Sequence, residues 1–314
     1  MKIITLTADV GGVEPCVATI GCFDGVHRGH QRVIRHLTEL SHSRGLMSAV
    51  ITFDRQPREL FDTTFHPQLL TTLEEKEAYL RDLGVELLVV LPFTKEVAAL
   101  SAAAFMQQIL HAQLNVRILL TGYDNRFGCG RTEGFDDYVR YGQSMGIEVI
   151  RGDAELVAGS EAVSSTAIRR ILSEEGRVEL MPLWLTRPYM LSGCVVPGEH
   201  IGHELGFPTA NLRPDSADKL IPANGVYAVR ASLDGGDERM PAMMNIGVRP
   251  TFEGHNKTLE VHILENVGDI YGRRLTIAFE SRLRAERRFD SREALIKQLA
   301  LDRIKAERVL KDKI

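Results

Sequence analysis

Up to Gly176 the chain alternates short apolar runs with longer segments of helical periodicity. Strand-like runs fall at 17–21, 47–53, 86–91, 116–121 and 147–151. Helical patterns lie near 31–43, 73–83, 101–112 and 135–145, and a last one near 165–175 stops at Gly176. In the first of these helices Val33, Ile34, Leu37 and Leu40 share one face. Thr72 with Glu75 has the spacing of a capping box for the second. Strands that alternate with helices in this way predict a Rossmann-like α/β unit built on a parallel, doubly wound sheet.

From Arg187 to Ser281 helical periodicity is nearly absent. The runs YMLSGCVV (189–196), GVYAVRASL (225–233), AMMNIG (242–247), TLEVHILE (258–265) and LTIAFE (275–280) are separated by Gly, Pro, Asn and Asp. That pattern predicts a small antiparallel β-barrel. A final helix over 291–312 starts at Ser291 and carries Leu295, Leu299, Ile304 and Val309. Two prolines interrupt MPLWLTRP (181–188), which sets the expected division into domains 1–182 and 183–314.

A chain of 314 residues suits two domains, and 44% hydrophobic with 25% charged residues is enough for packed cores. The net charge of −4 gives no overall attraction to nucleic acid or to an anionic membrane. The opening MKIITLTADVGG lacks a signal-peptide core, and the most apolar stretch, Leu87 to Phe93, is too short to span a bilayer. Cys16, Cys22, Cys129 and Cys194 have no CxxC spacing and read as reduced thiols, so a cytoplasmic location is expected.

The segment GCFDGVHRGH (21–30) follows an apolar run and opens a helix. Its imidazoles, His27 and His30, stand at a helix N-terminus, where unpaired N–H groups favour an anion. Gly25 and Gly29 allow close backbone approach. A phosphate grip of the HxGH nucleotidyltransferase kind is one reading, and surface caps on a plain strand–turn–helix are the other. Two nitrogens are too few for a zinc site. In VSSTAIRR (163–170), Ser164 or Ser165 can cap a helix that carries Arg169 one turn on, either as a second phosphate grip or as an ordinary cap. TGYDNRFGCGR (121–131) is a glycine-rich loop at the C-terminal end of a predicted strand, where ligands bind in open α/β sheets. Neither GxGxxG nor GxxxxGK[ST] occurs.

In the second half Gly198, Gly202 and Gly206 recur every four residues before PTAN (208–211) and read as a phosphate-covering loop. Thr209 and Asn211 offer neutral oxygens suited to magnesium, or else Pro208 simply sets a turn. In TLEVHILE, Leu259, Val261 and Ile263 point one way and Thr258, Glu260 and His262 the other. Glu260 is then a general base for a hydroxyl or a residue of a solvated face. Six arginines lie from Arg273 to Arg288 with no aromatic ladder among them, which predicts a self-paired, solvated face rather than an RNA surface.

In their order along the chain, GCFDGVHRGHQ, TFD..P (52–57), GYDNRFG, SSTAIR, RPYMLSG, GFPTAN and LEVHILE resemble the bifunctional prokaryotic riboflavin kinase/FMN adenylyltransferases, or FAD synthetases. The resemblance covers nearly the whole chain. It implies an N-terminal nucleotidyltransferase domain and a C-terminal riboflavin-kinase barrel, acting on riboflavin, FMN and ATP with Mg2+. It further implies that His27, His30 and Arg169, with Gly21, Phe23, Asp24, Gly25, Gly29, Asp124, Ser164, Ser165 and Thr166, serve the adenylyl site. Gly198, Gly202, Gly206 and Pro208 would cover ATP phosphates in the kinase, Thr209 and Asn211 would hold the metal, and Glu260 would be the catalytic base. Phe53, Pro57, Arg284 and Glu286 would face flavin. The chain departs from the family's usual TFDPHP at Arg55 and Gln56, from GENFRFG at Asp124, and from an arginine in the kinase loop at His203. Two alternatives are a single-activity nucleotidyltransferase for another phosphate substrate, with a regulatory barrel, and a non-catalytic flavin-binding regulator.

Overall fold

The computed structural model describes residues 1–7, 12–122, 126–152, 163–197, 209–251 and 254–311. The chain divides into two units, Met1–Ser164 and Ser165–Ile314.

The first unit is a six-stranded sheet in the order β1-β4-β3-β2-β5-β6, with strands Lys2–Thr5, Cys16–Ile20, Met47–Phe53, Leu87–Leu91, Val116–Thr121 and Glu148–Arg151 in chain order. All neighbouring strands run parallel. The sheet is covered on both faces, so its central strands are continuously apolar. Side-chain alternation divides them between two cores. Cys16, Ala18, Ile20, Ala49, Ile51, Leu87 and Val89 pack on one side with Phe105, Met106 and Tyr138. Val17, Val50, Leu88 and Leu120 pack on the other with Ile34, Leu37 and Leu80.

Helix α1 (Arg28–Arg44) ends at Gly45, which takes the left-handed conformation with φ 61°. Helix α2 (Leu73–Asp82) has its capping box: Glu75 N donates to Thr72 Oγ1 at 3.2 Å and Thr72 N to Glu75 Oε2 at 2.9 Å. Strand order reverses between β2 and β5, so the loops leaving their C-terminal ends flank a topological switch point. Strand β1, four residues long and at the sheet edge, is not predicted by the apolar pattern.

The second unit opens with a helix over Ser165–Arg170 that widens into a π-turn over Ile171–Glu175 and stops at Gly176, φ 65°. Six antiparallel strands then close a barrel in the order β10-β11-β8-β7-β12-β9. They are β7 Tyr189–Val196, β8 Ala210–Pro214, β9 Gly225–Leu233, β10 Met240–Thr251, β11 Gly254–Ile263 and β12 Arg274–Arg284. The strand β8 was not expected; the turn chemistry of GFPTAN masked it.

The C-terminal helix, Arg292–Lys311, lays Ala306 and Leu310 against Ala228 and Met243 on the outside of the barrel. Its buried stripe is Gln298, Asp302, Ala306 and Leu310, while Ile304 is 63% exposed. The expected stripe through Ile304 is therefore rotated. Asp302 takes an inward position because it pairs with Arg284, Nε to Oδ2 at 2.8 Å.

Candidate functional sites

In the first unit the loop from Cys22 to His27 leaves β2 at the switch point. Its backbone is left-handed at Phe23 (φ 47°), Gly25 (φ 84°) and Val26 (φ 38°). Phenylalanine and a β-branched residue rarely adopt such angles, and strain of this kind persists only where the surroundings impose it. Asp24 does so. Its carboxylate accepts from Leu70 N at 2.9 Å, Thr71 N at 3.0 Å and Thr71 Oγ1 at 3.2 Å. Gly25 N donates to the same threonine hydroxyl at 3.0 Å. Asp24 is thus a brace for the loop.

His27 is the N-cap of α1, and its Nδ1 accepts from His30 N at 3.3 Å. A neutral His27 therefore carries its proton on Nε2. The two imidazoles stack, centroids 3.5 Å apart, and Phe23 meets His30 edge-on at 5.2 Å. His30 Nδ1 is buried without a hydrogen-bond partner among the described residues. Burial, and then the neighbouring charges of His27 and Lys76, hold the His30 imidazole well below its usual value. The pair therefore offers a neutral ring and an N-terminal dipole to an incoming anion. Lys76, Thr52 and Thr71 were not read from the sequence. Lys76 sits in LEEKEAYL, a pattern that looks like any solvated helix turn, yet it is buried.

Phe53 ends β3 and packs edge-on against Phe93 at 5.2 Å; Pro57 opens a short 3-10 turn. Gln56, beside it, has a buried Nε2 without a partner among the described residues. Gly21 immediately follows β2, and Gly29 lies in the first turn of α1. Asp124 lies outside the described residues. Ser164 ends the first unit, while Ser165, Thr166 and Arg169 stand on the helix that opens the second.

In the barrel, strand register does what spacing could not. Asn211 on β8 stands directly opposite Glu260 on β11, and Glu260 directly opposite Asn245 on β10. Directly opposed residues share a face, so these three form a row on the outside of the barrel. The expected alternation in β11 holds: Leu259, Val261 and Ile263 are buried inward. His262, on the Glu260 side, is nevertheless buried as well, opposite Met243, whose side chain packs in the C-terminal helix cluster. Thr209 immediately precedes β8. Gly198, Gly202, Gly206, Pro208 and His203 lie outside the described residues.

Glu286 hangs over Gly247: a Cβ there would stand 2.7 Å from Glu286 Oε1. Its other oxygen accepts from Asn224 Nδ2 at 3.1 Å. Arg284 is bound to Asp302, which also accepts from Gln298 Nε2 at 2.7 Å. The arginine-rich segment is not paired within itself as expected: Arg273 pairs with Asp234 and Arg274 with Asp215, carboxylates from outside the segment that the barrel's strand pairing and turns bring alongside. Among the described residues no cluster of three or more His, Cys, Asp or Glu could hold a metal. Nor is any described helix long and apolar enough to cross a membrane.

A parallel α/β unit followed by a closed antiparallel barrel, each matched by the model of an enzyme family, places the chain among two-unit transferases of phosphorus-containing groups. The sequence model of the FAD synthetase family matches residues 12–167, and that of the riboflavin kinase family matches residues 185–310. The bifunctional riboflavin kinase/FMN adenylyltransferase of Escherichia coli (strain K12) is 39% identical over 293 residues, 93% of this chain and 92% of that protein. Its counterpart from Pseudomonas fluorescens is 41% identical over 281 residues, 89% and 88% of the two chains. A solved structure titled as a macrolide-efflux protein from Streptococcus pneumoniae is 30% identical, with a TM-score of 0.88 over 97% of this chain and 98% of that one. The chain belongs to the bifunctional riboflavin kinase/FMN adenylyltransferase family.

Proposed function

We propose that this chain carries out two successive reactions. The barrel transfers the γ-phosphate of ATP to the ribityl 5′-hydroxyl of riboflavin, giving FMN and ADP. The first unit joins FMN to the AMP portion of a second ATP, giving FAD and pyrophosphate. The observation that carries this reading is that the two family models divide the chain much as the fold does, residues 12–167 covering the α/β unit and the start of the helix after it, and 185–310 the barrel. The functional division we propose, 1–182 and 183–314, falls 18 residues beyond the boundary between the two compact units at Ser164.

In the kinase, Glu260 takes the proton of the ribityl hydroxyl as it attacks. Thr209 and Asn211 would hold Mg2+. Asn211 stands directly opposite Glu260, and neutral oxygens such as those of Thr209 and Asn211 are the hard donors this ion takes while keeping most of its waters. When bound, the ion supplies charge neutralisation on the phosphates. The loop bearing Gly198, Gly202, Gly206 and Pro208 covers those phosphates, and Arg284 and Glu286 border the flavin.

In adenylyl transfer the FMN phosphate is itself the nucleophile, so no protein nucleophile is needed. His27 and His30 donate to the phosphates and stabilise the departing pyrophosphate. Ser164, Ser165, Thr166 and Arg169 bind ATP on the strength of their motif, as do Gly21, Phe23, Gly25, Gly29 and Asp124. Asp24 holds the loop in shape. Phe53 and Pro57 line the flavin side.

The four cysteines are free, which supports a reducing, cytoplasmic setting. Pyrophosphate release tests the substrate choice. With ATP present it should be rapid with FMN and absent with phosphopantetheine; the reverse preference would make the first unit a transferase for another phosphate.

A further inference from the structure

Lys76 is the fourth residue of α2, and its side chain is buried beneath the Cys22–His30 loop. Nζ donates to Thr52 Oγ1 at 3.1 Å, and that hydroxyl donates to the Cys22 carbonyl at 3.2 Å. Thr52 is the penultimate residue of β3 and is itself buried. No carboxylate among the described residues comes within ion-pair distance of Nζ. Asp24 is the charge that attracts it most, but both Asp24 oxygens are already engaged with Leu70 and Thr71. An ammonium has three donors and is costly to bury without a paired anion. Here it is buried where its charge acts on the His30 imidazole, which stacks on His27 and has a buried nitrogen without a partner among the described residues. Lys76 and the stacked His27–His30 pair thus bring basic groups together, while the carboxylate nearest Lys76 in effect, Asp24, is committed to Leu70 and Thr71. Such a grouping is complete only when an anion joins it.

We propose that Lys76 is a positioning residue of the adenylyl site, held on Thr52 so that its buried charge draws a polyphosphate onto the Cys22–His30 loop from beneath. This rests on the reading of the first unit as an adenylyltransferase. Two properties follow. The charge is a stability defect while the site is empty, so an apolar side chain of similar length should be tolerated or even favoured by the fold. The same change should weaken the grip on phosphate. Removing the positive charge beside His30 should also let that imidazole titrate at higher pH.

The test uses the full-length chain with Lys76→Met, and Thr52→Val as a second variant that removes the hydroxyl holding the ammonium. In Lys76→Met, kcat/KM for ATP in FAD formation should fall about 10–100-fold, by analogy with outer-shell groups that orient metal ligands. Riboflavin phosphorylation should be unchanged, the melting temperature equal or higher, and the His30 ring proton resonance should titrate at higher pH than in the wild type. Thr52→Val should lose adenylyl transfer in the same direction. Adenylyl transfer within about twofold of wild type in either variant would overturn the proposal. So would a loss in Lys76→Met that comes with a lowered melting temperature while Thr52→Val remains fully active. If the wild type makes no FAD at all, the functional reading fails instead. Calorimetry with inorganic pyrophosphate then still decides the role of Lys76: equal affinity of wild type and Lys76→Met contradicts it, and weaker binding by the variant supports it.

Discussion

Asn211 and Glu260 face one another across the antiparallel pairing of β8 and β11, although 49 residues separate them in sequence. The pairing places an amide oxygen beside a carboxylate at one spot on the barrel surface. Glu260→Gln keeps the shape and removes the basic oxygen. Riboflavin phosphorylation should fall about 10²–10⁴-fold, the usual contribution of a general base. Binding of riboflavin and ATP, and the conversion of added FMN to FAD, should persist. Steady-state kinetics on each reaction separately check this.

Gly247→Ala probes the same face two residues along β10 from Asn245. The new methyl would stand 2.7 Å from Glu286 Oε1, 3.4 Å from Thr258 Oγ1 and 3.6 Å from Asn245 Nδ2. Glu286 is exposed at the end of a flexible side chain, so the fold should tolerate the change while Glu286 leaves Asn224. The KM for riboflavin in the kinase reaction should rise, with the melting temperature nearly unchanged. An unaltered KM would make Glu286 a plain surface residue.

His30→Ala should stop FAD formation, with a loss of about 10²–10³-fold, while FMN still accumulates. His30 also gives the first unit a pH dependence. Its pKa in the folded chain lies below the reference 6.5, chiefly through burial. As pH falls the unfolded chain takes up this proton first, so stability is full above 6.5 and declines as pH drops toward the depressed folded value. Thermal melting between neutral and mildly acidic pH should show that decline in the wild type and less of it in His30→Ala.

How far each unit stands alone can be tested with fragments. One starting at Ser165 keeps Leu172 and Val178, both fully buried, together with the Leu172 carbonyl that accepts from Ala223 N and the Glu175 carbonyl that accepts from Arg282. A fragment starting at Pro182 loses all of these. Burial of one Leu or Val side chain is worth about 1.5–3 kcal/mol, so the shorter fragment should melt several degrees lower. Both should phosphorylate riboflavin and neither should make FAD, as circular dichroism and product analysis would show.

The alternation of apolar strands and helices in the first half was legible because both faces of a parallel sheet must be covered, which writes a strong pattern into 16–20, 47–53 and 87–91. His27 and His30 were legible because both belong to one local motif. Lys76, Thr71 and Asn245 were not. They are ordinary residues in their own segments, and only sheet register and helix packing bring them to the sites. Arg284 illustrates a different limit: its ion pair with Asp302 on the C-terminal helix is a contact that only tertiary packing supplies. Short β8 was hidden by Pro208 and its neighbours, whose turn chemistry dominates a reading by pattern.

The most direct measurement is a time course of the full-length chain with riboflavin, ATP and magnesium, with flavins separated by chromatography and pyrophosphate measured in parallel. FMN should appear first and then decline as FAD grows, with one pyrophosphate released for each FAD. FMN that accumulates without FAD or pyrophosphate, or riboflavin that remains unchanged while added FMN is adenylylated, would contradict the assignment of two reactions to this chain.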